Sequence, residues 1–241
     1  MNLNLNKHDF VNTLLGPVSK LADNLSLSFT ANGTTQTAKT IVSNSDRSVI
    51  LLGEVNCSVQ EPFSCVIPDC KTFLRLFSGI ESDNLTLTIN SNVVEYKQNN
   101  FSFKYHLLDE LYSGINKTIS EEKLQALTYD TTFEISKQKL SEIVKYNSIV
   151  PDAEKLYFLT KDSEVLAKLG DEQKSNINEI VVEVSKSFNG QPVDTSFPIN
   201  VQNILLFSFN SDVITVSVNH ALKIFKFEAS NLKYIVSGLV K

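Results

Sequence analysis

The stretch SDNLTLTIN at residues 82–90 returns as SDVITVSVN at residues 211–219, roughly 130 residues later. In both copies a Ser-Asp turn is followed by alternating apolar and polar residues, which is typical of a β-strand with one buried face. About the same offset relates Leu3–Leu5 to Phe133–Ile135. A repeat this long, with helix-type and strand-type segments in the same order, indicates two copies of one domain.

Each half divides again into two units that run strand, helix and three strands. The helices are predicted at residues 7–15, 70–78, 137–147 and 201–207, and the polar residues that precede them as N-caps are Asn6, Asp69, Ser136 and Asn200. The strands are predicted at residues 3–5, 25–30, 36–42, 48–56, 63–67, 84–90, 93–98, 101–106, 132–135, 155–160, 163–169, 178–184, 195–199, 212–218, 221–227 and 231–236. The chain therefore consists of four βαβββ units.

A connector separates the two halves. Residues 109–130 break the repeat and include the charged run Ser120-Glu121-Glu122-Lys123, so we predict domain 1 at residues 1–108 and domain 2 at residues 131–241. The predicted class is α+β, with antiparallel sheets on one side of each domain and the short helices gathered on the other. Strands at the sheet ends would lack partners, so we expect a closed oligomer.

Composition is that of an ordinary globular protein, with 42% hydrophobic and 20% charged residues and a net charge of −5. The acidic balance argues against a protein coated in nucleic acid, although it does not locate the positive charges. With neither a membrane-span pattern nor a signal pattern, we expect the cytoplasm, or the host cytoplasm for a viral protein. The three cysteines (Cys57, Cys65 and Cys70) are expected to be free thiols.

Catalytic signatures are absent from the sequence, which contains no phosphate-binding P-loop, nucleophile elbow or zinc-binding helix motif. The histidines His8, His106 and His220 have no Cys or carboxylate at ligand spacing. Asp83 and Asp212 occupy equivalent repeat positions and are interpreted as turn residues rather than an acid–base pair. We therefore expect neither enzymatic activity nor a cofactor or metal.

The last predicted strand carries Leu232-Lys233-Tyr234-Ile235-Val236. This segment is similar to the last strand of PCNA, and with its four βαβββ units the whole chain resembles the DNA sliding clamps, the ring-shaped processivity factors of replicative DNA polymerases. In that family six domains close around duplex DNA, and two-domain chains such as PCNA and the T-even-type phage clamps form trimers. The chain lacks the long acidic tail of PCNA. Its Gly-poor, Asn- and Lys-rich composition favours a bacteriophage clamp.

The resemblance implies that the helices line the hole and contact DNA phosphates without reading bases, so basic residues should outnumber acidic ones there. Helix 70–78 carries two basic residues and no acid, helix 137–147 carries three basic residues against Glu142, and helix 201–207 carries no charge. The predicted DNA-facing residues are Lys7, Lys20, Lys71, Arg75, Lys137, Lys139 and Lys145.

The resemblance also implies a pocket for a short hydrophobic peptide from the polymerase or the clamp loader, beneath the connector and beside the C-terminal strand. By position, its members would be Leu111, Tyr112, Ile115, Tyr234, Ile235, Ser237 and Gly238. The implied partners are duplex DNA, the replicative polymerase, the clamp loader and further copies of the chain.

Two alternatives remain open from the sequence. One is a polymerase accessory factor of the herpesvirus type, which keeps the fold without a ring but needs a markedly basic DNA-binding face. The other is a phage structural protein with duplicated domains, which would have no reason to place basic residues on equivalent helix faces.

Overall fold

The computed structural model describes residues 1–32, 35–90, 92–98, 100–108, 120–174, 176–194 and 196–239. The backbone divides into two compact units, the first formed by Met1–Ser45 with Ile50–Gln125 and the second by Asp46–Val49 with Ala126–Lys241. The domain boundaries given above, including the connector at residues 109–130, stay predictions.

The first unit contains the first two βαβββ repeats. Its strands are β1 (Asn2–Asn6), β2 (Leu25–Asn32), β3 (Thr35–Ser43), β4 (Val49–Val59), β5 (Phe63–Ile67), β6 (Asn84–Asn90), β7 (Val93–Gln98) and β8 (Phe101–His106). Its helices are a π-helical segment (Asp9–Leu15), α1 (Gly16–Leu21), α2 (Cys70–Ser78) and α3 (Glu121–Gln125).

The two repeats of the first unit exchange their first strands. β1 opens the first repeat but pairs with β6 of the second, placing Leu3 opposite Leu87 and Leu5 opposite Leu85. Reciprocally, β5 opens the second repeat but pairs with β2 of the first. All pairs are antiparallel, and the strand order is β5-β2-β3-β4-β1-β6-β7-β8. Neither repeat can therefore complete its sheet without the other.

The second unit contains the other two repeats. Its strands are β9 (Thr131–Ser136), β10 (Lys155–Lys161), β11 (Glu164–Gly170), β12 (Ile180–Ser185), β13 (Phe188–Gly190), β14 (Ile199–Asn200), β15 (Val213–Asn219), β16 (Ile224–Ala229) and β17 (Leu232–Ser237). Its helices are α4 (Lys137–Ile149) and α5 (Val201–Leu205).

The same exchange joins the repeats of the second unit. β9 pairs with β15, and β14 pairs with β10. The strand orders are β13-β9-β15-β16-β17 and β12-β11-β10-β14, again antiparallel. The prediction of paired βαβββ units in an α+β fold is confirmed.

One predicted strand is much shorter than expected. Residues 195–199 were expected to be a strand, but β14 contains only Ile199 and Asn200, and residue 195 lies outside the described part of the chain. Pro198 immediately precedes β14 and has no amide hydrogen for a sheet ladder, which explains the late start.

The repeat is also visible in how the helices begin. The side chains of Asn6, Asp69, Ser136 and Asn200 each accept an amide hydrogen bond from the first turn, at 2.9 to 3.1 Å. All four predicted caps are thus confirmed. The carbonyls of Asp83 and Asp212 accept the amides of Lys7 and Lys137 at 2.7 and 2.8 Å, so these equivalent turns hold equivalent helix starts.

The first helix is longer than the predicted residues 7–15, because the π-helical segment runs directly into α1. The amide of Gly16 donates to the carbonyl of Val11, five residues earlier, which is the hydrogen bond of a π-helix. Pro17 then lies in the first turn of α1, where an α-helix needs no amide donor. The Gly-Pro pair therefore changes the helix type instead of ending the helix.

Aromatic rings fill the core between helices and sheet. In the first unit the centroid of Phe77 lies 5.6 Å from that of Phe10 and 5.9 Å from that of Phe103. In the second unit the Tyr234 ring lies 4.5 Å from Phe207 and is fully buried. These contacts hold the helices of the first unit, and the segment that follows α5 in the second unit, against their sheets.

The cysteines are free, as predicted. Cys65 and Cys70 are buried and Cys57 is half-buried. Burial raises the pKa of Cys70 to about 12 and that of Cys57 to about 11, because an apolar environment disfavours the thiolate. Both thiols are therefore protonated and unreactive at neutral pH.

We predict that Phe77→Ala lowers the free energy of unfolding by about 3–5 kcal/mol, since it leaves a cavity among Phe10, Phe73 and Phe103. Denaturant unfolding measures the change. Leu108→Ala in the same unit is the control: its side chain is 41% exposed, and the expected loss is below about 1 kcal/mol. Equal losses for the two variants would contradict the packing of Phe77 against Phe10 and Phe103.

Candidate nucleic-acid interface

The helices of each unit lie side by side and pack on its sheet. In the first unit the π-helical segment and α1 both contact α2, and in the second unit α4 contacts α5. Phe10 meets Phe73 edge to face, with ring centroids 6.5 Å apart, which fixes the first pair. Each unit therefore presents a two-helix surface, and the predicted DNA-facing residues lie on these helices or at their ends.

On the first helix only one of the two predicted lysines is available. The ammonium of Lys7 donates to the carbonyl of Ile80, just beyond the end of α2. A cation at a helix C-terminus satisfies unpaired carbonyls, so this bond gives Lys7 a structural role. Lys20 is exposed and has no carboxylate within ion-pair distance among the described residues.

Helix α2 likewise presents one engaged and one available cation. Lys71 lies 3.2 Å from Asp23, and both side chains are largely exposed. Solvent screening makes such a pair weak, so a phosphate could compete for Lys71. Arg75 is exposed, one turn further along, and forms no ion pair with any described carboxylate. Its guanidinium is therefore available to bind a phosphate.

Helix α4 carries the largest basic group. Lys139 lies 3.1 Å from Glu142, and the hydrogen bond from Lys139 lowers the pKa of the Glu142 carboxyl below its ordinary value. Lys137 and Lys145 are exposed, and neither lies within ion-pair distance of a carboxylate in the part of the chain that is described. The helix thus offers two available cations.

Helix α5 is uncharged, as predicted. It consists of Val201–Leu205, begins at the cap Asn200, and buries Val201, Asn203 and Ile204. Charge on the helical surfaces is therefore unequal. The four cations without a carboxylate partner among the described residues are Lys20, Arg75, Lys137 and Lys145.

The predicted peptide pocket is described only in part. Leu111, Tyr112 and Ile115 lie outside the described residues. Tyr234 and Ile235 are buried within the second unit, and the Tyr234 hydroxyl accepts the amide of Ser208 at 3.1 Å. That burial raises the pKa of Tyr234, and it keeps the ring from touching a peptide without repacking the core.

The other two described members lie at the end of the chain. Ser237 is exposed, and the amide of Gly238 donates to the carbonyl of Lys223 at 2.7 Å. A Cβ at position 238 would come within 2.8 Å of that carbonyl oxygen, so glycine is required for the close approach. The pocket as a whole stays a prediction.

The first unit contains a pocket that the sequence patterns did not predict. A pocket of about 500 Å³ lies between the end of α2 and the turn joining β7 to β8, with Ile80, Tyr96 and Phe101 among its lining residues. It forms where the residues that follow α2 meet the ends of β7 and β8, and period-two alternation does not reveal that packing.

Within the described ranges, five strands (β5, β8, β12, β13 and β14) each form a ladder with one other strand. Among them, β8 pairs with β7, and β12 pairs with β11. Val181 on β12 is 54% exposed. Unpaired backbone groups beside an exposed apolar side chain are typical of an edge that another chain covers.

Among the described residues, no group of three His, Cys, Asp or Glu side chains could hold a metal ion. None of the described helices is long and apolar enough to cross a membrane.

No family model matches this sequence, and no curated protein matches it in sequence. Solved structures do match. A. fulgidus PCNA, solved with the C-terminal region of FEN-1 bound, has a TM-score of 0.75 at 12% identity, covering 100% of this chain and 98% of that chain. PCNA from Thermococcus kodakaraensis has a TM-score of 0.74 at 14% identity, covering 98% and 100%. The DNA polymerase III beta subunit from Thermotoga maritima has a TM-score of 0.76 at 13% identity, covering 100% and 66%.

These matches confirm the predicted fold. The chain has the fold of the DNA sliding clamps over essentially its whole length. It spans about two thirds of the bacterial beta subunit and the full length of the PCNA chains. At such low identity the likeness concerns the fold alone.

The cap of α2 is expected to make the stability of the fold depend on pH. The Thr72 hydroxyl and amide donate to Asp69 at 2.6 and 2.9 Å, and these bonds hold the pKa of its carboxyl below the ordinary 3.8. A lowered pKa in the folded state means that the stabilisation is complete above the ordinary pKa and is lost as the pH falls through the lowered one.

The stability of the Asp69→Ser variant should therefore depend less on pH than that of the wild type at pH values below the ordinary carboxyl pKa. Serine caps the helix but does not titrate in that range. Thermal unfolding midpoints between pH 7 and pH 2 measure this. Ser136 caps α4 with a serine already, so Ser136→Thr serves as a control that leaves the pH dependence unchanged. Parallel curves for wild type and Asp69→Ser would contradict the role of Asp69.

Proposed function

We propose that this protein is a DNA polymerase processivity factor, a sliding clamp that encircles duplex DNA and tethers the replicative polymerase. It acts as a scaffold and carries out no covalent chemistry. The observation that carries the proposal is the sliding-clamp fold over the full chain, combined with unpaired cations on three of the four repeat helices of an acidic protein.

The helical surfaces suit a mobile grip on DNA. Lys20, Arg75, Lys137 and Lys145 are single exposed cations rather than a dense patch. Each phosphate contact displaces condensed counterions and adds a sequence-independent increment of affinity. Few, separated contacts hold the duplex without fixing the protein at one site, and the net charge of −5 disfavours binding elsewhere on the surface.

The ring would contain three copies. This chain matches whole PCNA chains but only about two thirds of a bacterial beta subunit, which fits two domains per chain. Three two-domain copies supply the six domains implied by the resemblance. The open edges of β8 and β12 differ from each other, and two different contact surfaces allow head-to-tail closure.

Partner binding would use the predicted pocket of Leu111, Tyr112 and Ile115 with the C-terminal segment. A. fulgidus PCNA was solved with the C-terminal region of FEN-1 bound. By analogy, a short hydrophobic peptide of the polymerase or the clamp loader would bind here. Because Tyr234 is buried, we assign it to support of the pocket and assign contact to the exposed Ser237 and the connector residues.

The biological setting proposed is viral DNA replication, in the cytoplasm of a host bacterium. The Asn- and Lys-rich, Gly-poor composition supports a bacteriophage source. Domain 1 (residues 1–108), the connector (109–130) and domain 2 (131–241) would then serve as the ring segments and the link between them.

The ring is tested by solution mass. At micromolar concentration we expect a species of three times the chain mass of 26.9 kDa. Function is tested by synthesis on a primed circular template with the cognate polymerase and loader, where the protein should lengthen the products. A monomer would refute the stable ring, and unchanged product length would refute the processivity role.

Neutralising the available cations should weaken the hold on DNA. We predict that Arg75→Gln with Lys145→Gln lowers the affinity of the ring for circular duplex by about tenfold at physiological salt, and reduces its salt dependence by about 0.9 per lost contact. Retention on nicked circular DNA across a salt series measures both.

The matched control removes two positive charges from strands instead of helices. Lys97 and Lys161 are exposed and lack a described ion-pair partner, but lie on β7 and β10. Lys97→Gln with Lys161→Gln should retain wild-type affinity and salt dependence. Equal losses from the two double variants would show that the helices are not the DNA-binding surface.

A further inference from the structure

The pocket at the end of α2 has no part in the function proposed above. It has a volume of about 500 Å³, and all its lining residues belong to the first unit. Three of these residues, Glu81, Gln98 and Asn100, are exposed, whereas Ile80 and Tyr96 are buried. The pocket therefore combines an open, polar side with a packed, apolar one.

Two aromatic rings form the apolar side. The centroids of Tyr96 and Phe101 lie 6.2 Å apart, and the ring planes are tilted by 51°. A Cβ at position 79 would come within 2.8 Å of Cε2 of Phe101, so this ring lies directly against the backbone of Gly79, where α2 ends. Phe101 is half-buried, and its remaining surface is available to a ligand in the pocket.

The polar side is rich in hydrogen-bond acceptors. The Tyr96 hydroxyl donates to Oε1 of Gln98, and Tyr96 is only 4% exposed, so a buried group positions this amide. Asn100 supplies a second amide oxygen. Glu81 carries the only formal charge among the described lining residues, and it forms no ion pair with any described residue. The charge of the pocket lining is therefore negative.

The end of α2 adds to this negative potential. A helix carries partial negative charge at its C-terminus, and Gly79 and Ile80 directly follow the last residue of α2, Ser78. The Lys7 ammonium donates to the Ile80 carbonyl but forms no ion pair with Glu81. The Glu81 carboxylate thus has no cation of the described chain to neutralise it, and a positively charged ligand is favoured there.

We propose that this pocket binds an arginine side chain of a partner protein, with its guanidinium stacked on Phe101 and hydrogen-bonded to Glu81. A guanidinium is planar, stacks on aromatic faces and has five N–H donors. Those donors match the carboxylate of Glu81 and the amide oxygens of Gln98 and Asn100. The site differs from the pocket predicted beneath the connector, and it does not depend on the proposed ring.

Other classes of ligand fit these residues less well. A phosphate would lie beside the Glu81 carboxylate, and no described lining residue is a cation that could bind it. A purely apolar group would bury the carboxylate and the two amides without hydrogen-bond partners, which costs free energy. A lysine could pair with Glu81 but has no planar group to stack on Phe101.

The exposure of the polar side favours a protein partner over a small free molecule. Glu81, Gln98 and Asn100 are all exposed in the single chain. A small cation would leave these side chains in water, where an ion pair is worth little. Residues that flank an arginine on a protein surface can cover them and strengthen the pair by excluding water.

The experiment titrates the wild-type chain with the peptide acetyl-Gly-Arg-Gly-amide and follows binding by ligand-observed NMR. A second peptide has citrulline in place of arginine, which keeps the shape and removes the charge. We expect the citrulline peptide to bind about fivefold more weakly than the arginine peptide, because it cannot form the ion pair with Glu81.

Variants of the protein locate the site. Glu81→Gln should weaken binding of the arginine peptide by about fivefold, and Phe101→Leu, which removes the aromatic face, by about threefold. Asp83→Asn is the matched control, because it removes the same charge two residues away at a position outside the described lining. It should bind the peptide like the wild type, and thermal unfolding verifies that every variant folds.

The proposal is overturned if the arginine peptide does not bind, or if the citrulline peptide binds as tightly. Equal losses from Glu81→Gln and Asp83→Asn would also overturn it, since they would indicate general attraction to an acidic surface. Spermidine that binds through Glu81 while the peptide does not would assign the pocket to a free polyamine instead. None of these measurements involves DNA or a polymerase, so a negative result leaves the proposed clamp function intact.

Discussion

Exchange of the first strand between repeats is the constraint on which each unit depends. β1 pairs with β6 and β5 with β2, and the second unit repeats the arrangement with β9 and β15, and with β14 and β10. A single βαβββ repeat would leave these strands without a sheet and its helix without a partner. Pairing two repeats satisfies both needs at once, and places two helices side by side on one face.

In the proposed function, that helix layer would let an acidic protein hold DNA loosely. Its positive charges are few, and three of them already have partners within the protein. Lys7 binds the Ile80 carbonyl, Lys71 forms an ion pair with Asp23, and Lys139 forms one with Glu142. The remaining exposed cations would contact phosphates at separate points. An interaction that is weak at each point and independent of base sequence permits movement along the duplex.

The sheet layer would have a different task in the proposed clamp. The strands β8 and β12 each pair with one other strand within the described ranges, and both carry apolar side chains on one side and charged side chains on the other. In the proposed clamp, assembly would use sheet edges and DNA contact would use helices, so the two would rest on different elements. A clamp benefits from this division, since a change in subunit contact need not alter the surface that faces the duplex.

Local patterns were enough to predict the repeat, the four helix caps and the order of the elements apart from β13, because alternation of apolar residues and N-cap chemistry act over a few neighbouring residues. The exchange of strands between repeats, the π-to-α junction at Gly16-Pro17 and the ion pairing of the helix lysines became known only from the three-dimensional packing. Asp23 and Lys71, or Lys7 and Ile80, are far apart in sequence. Their contacts depend on how two repeats pack together, which no local pattern encodes.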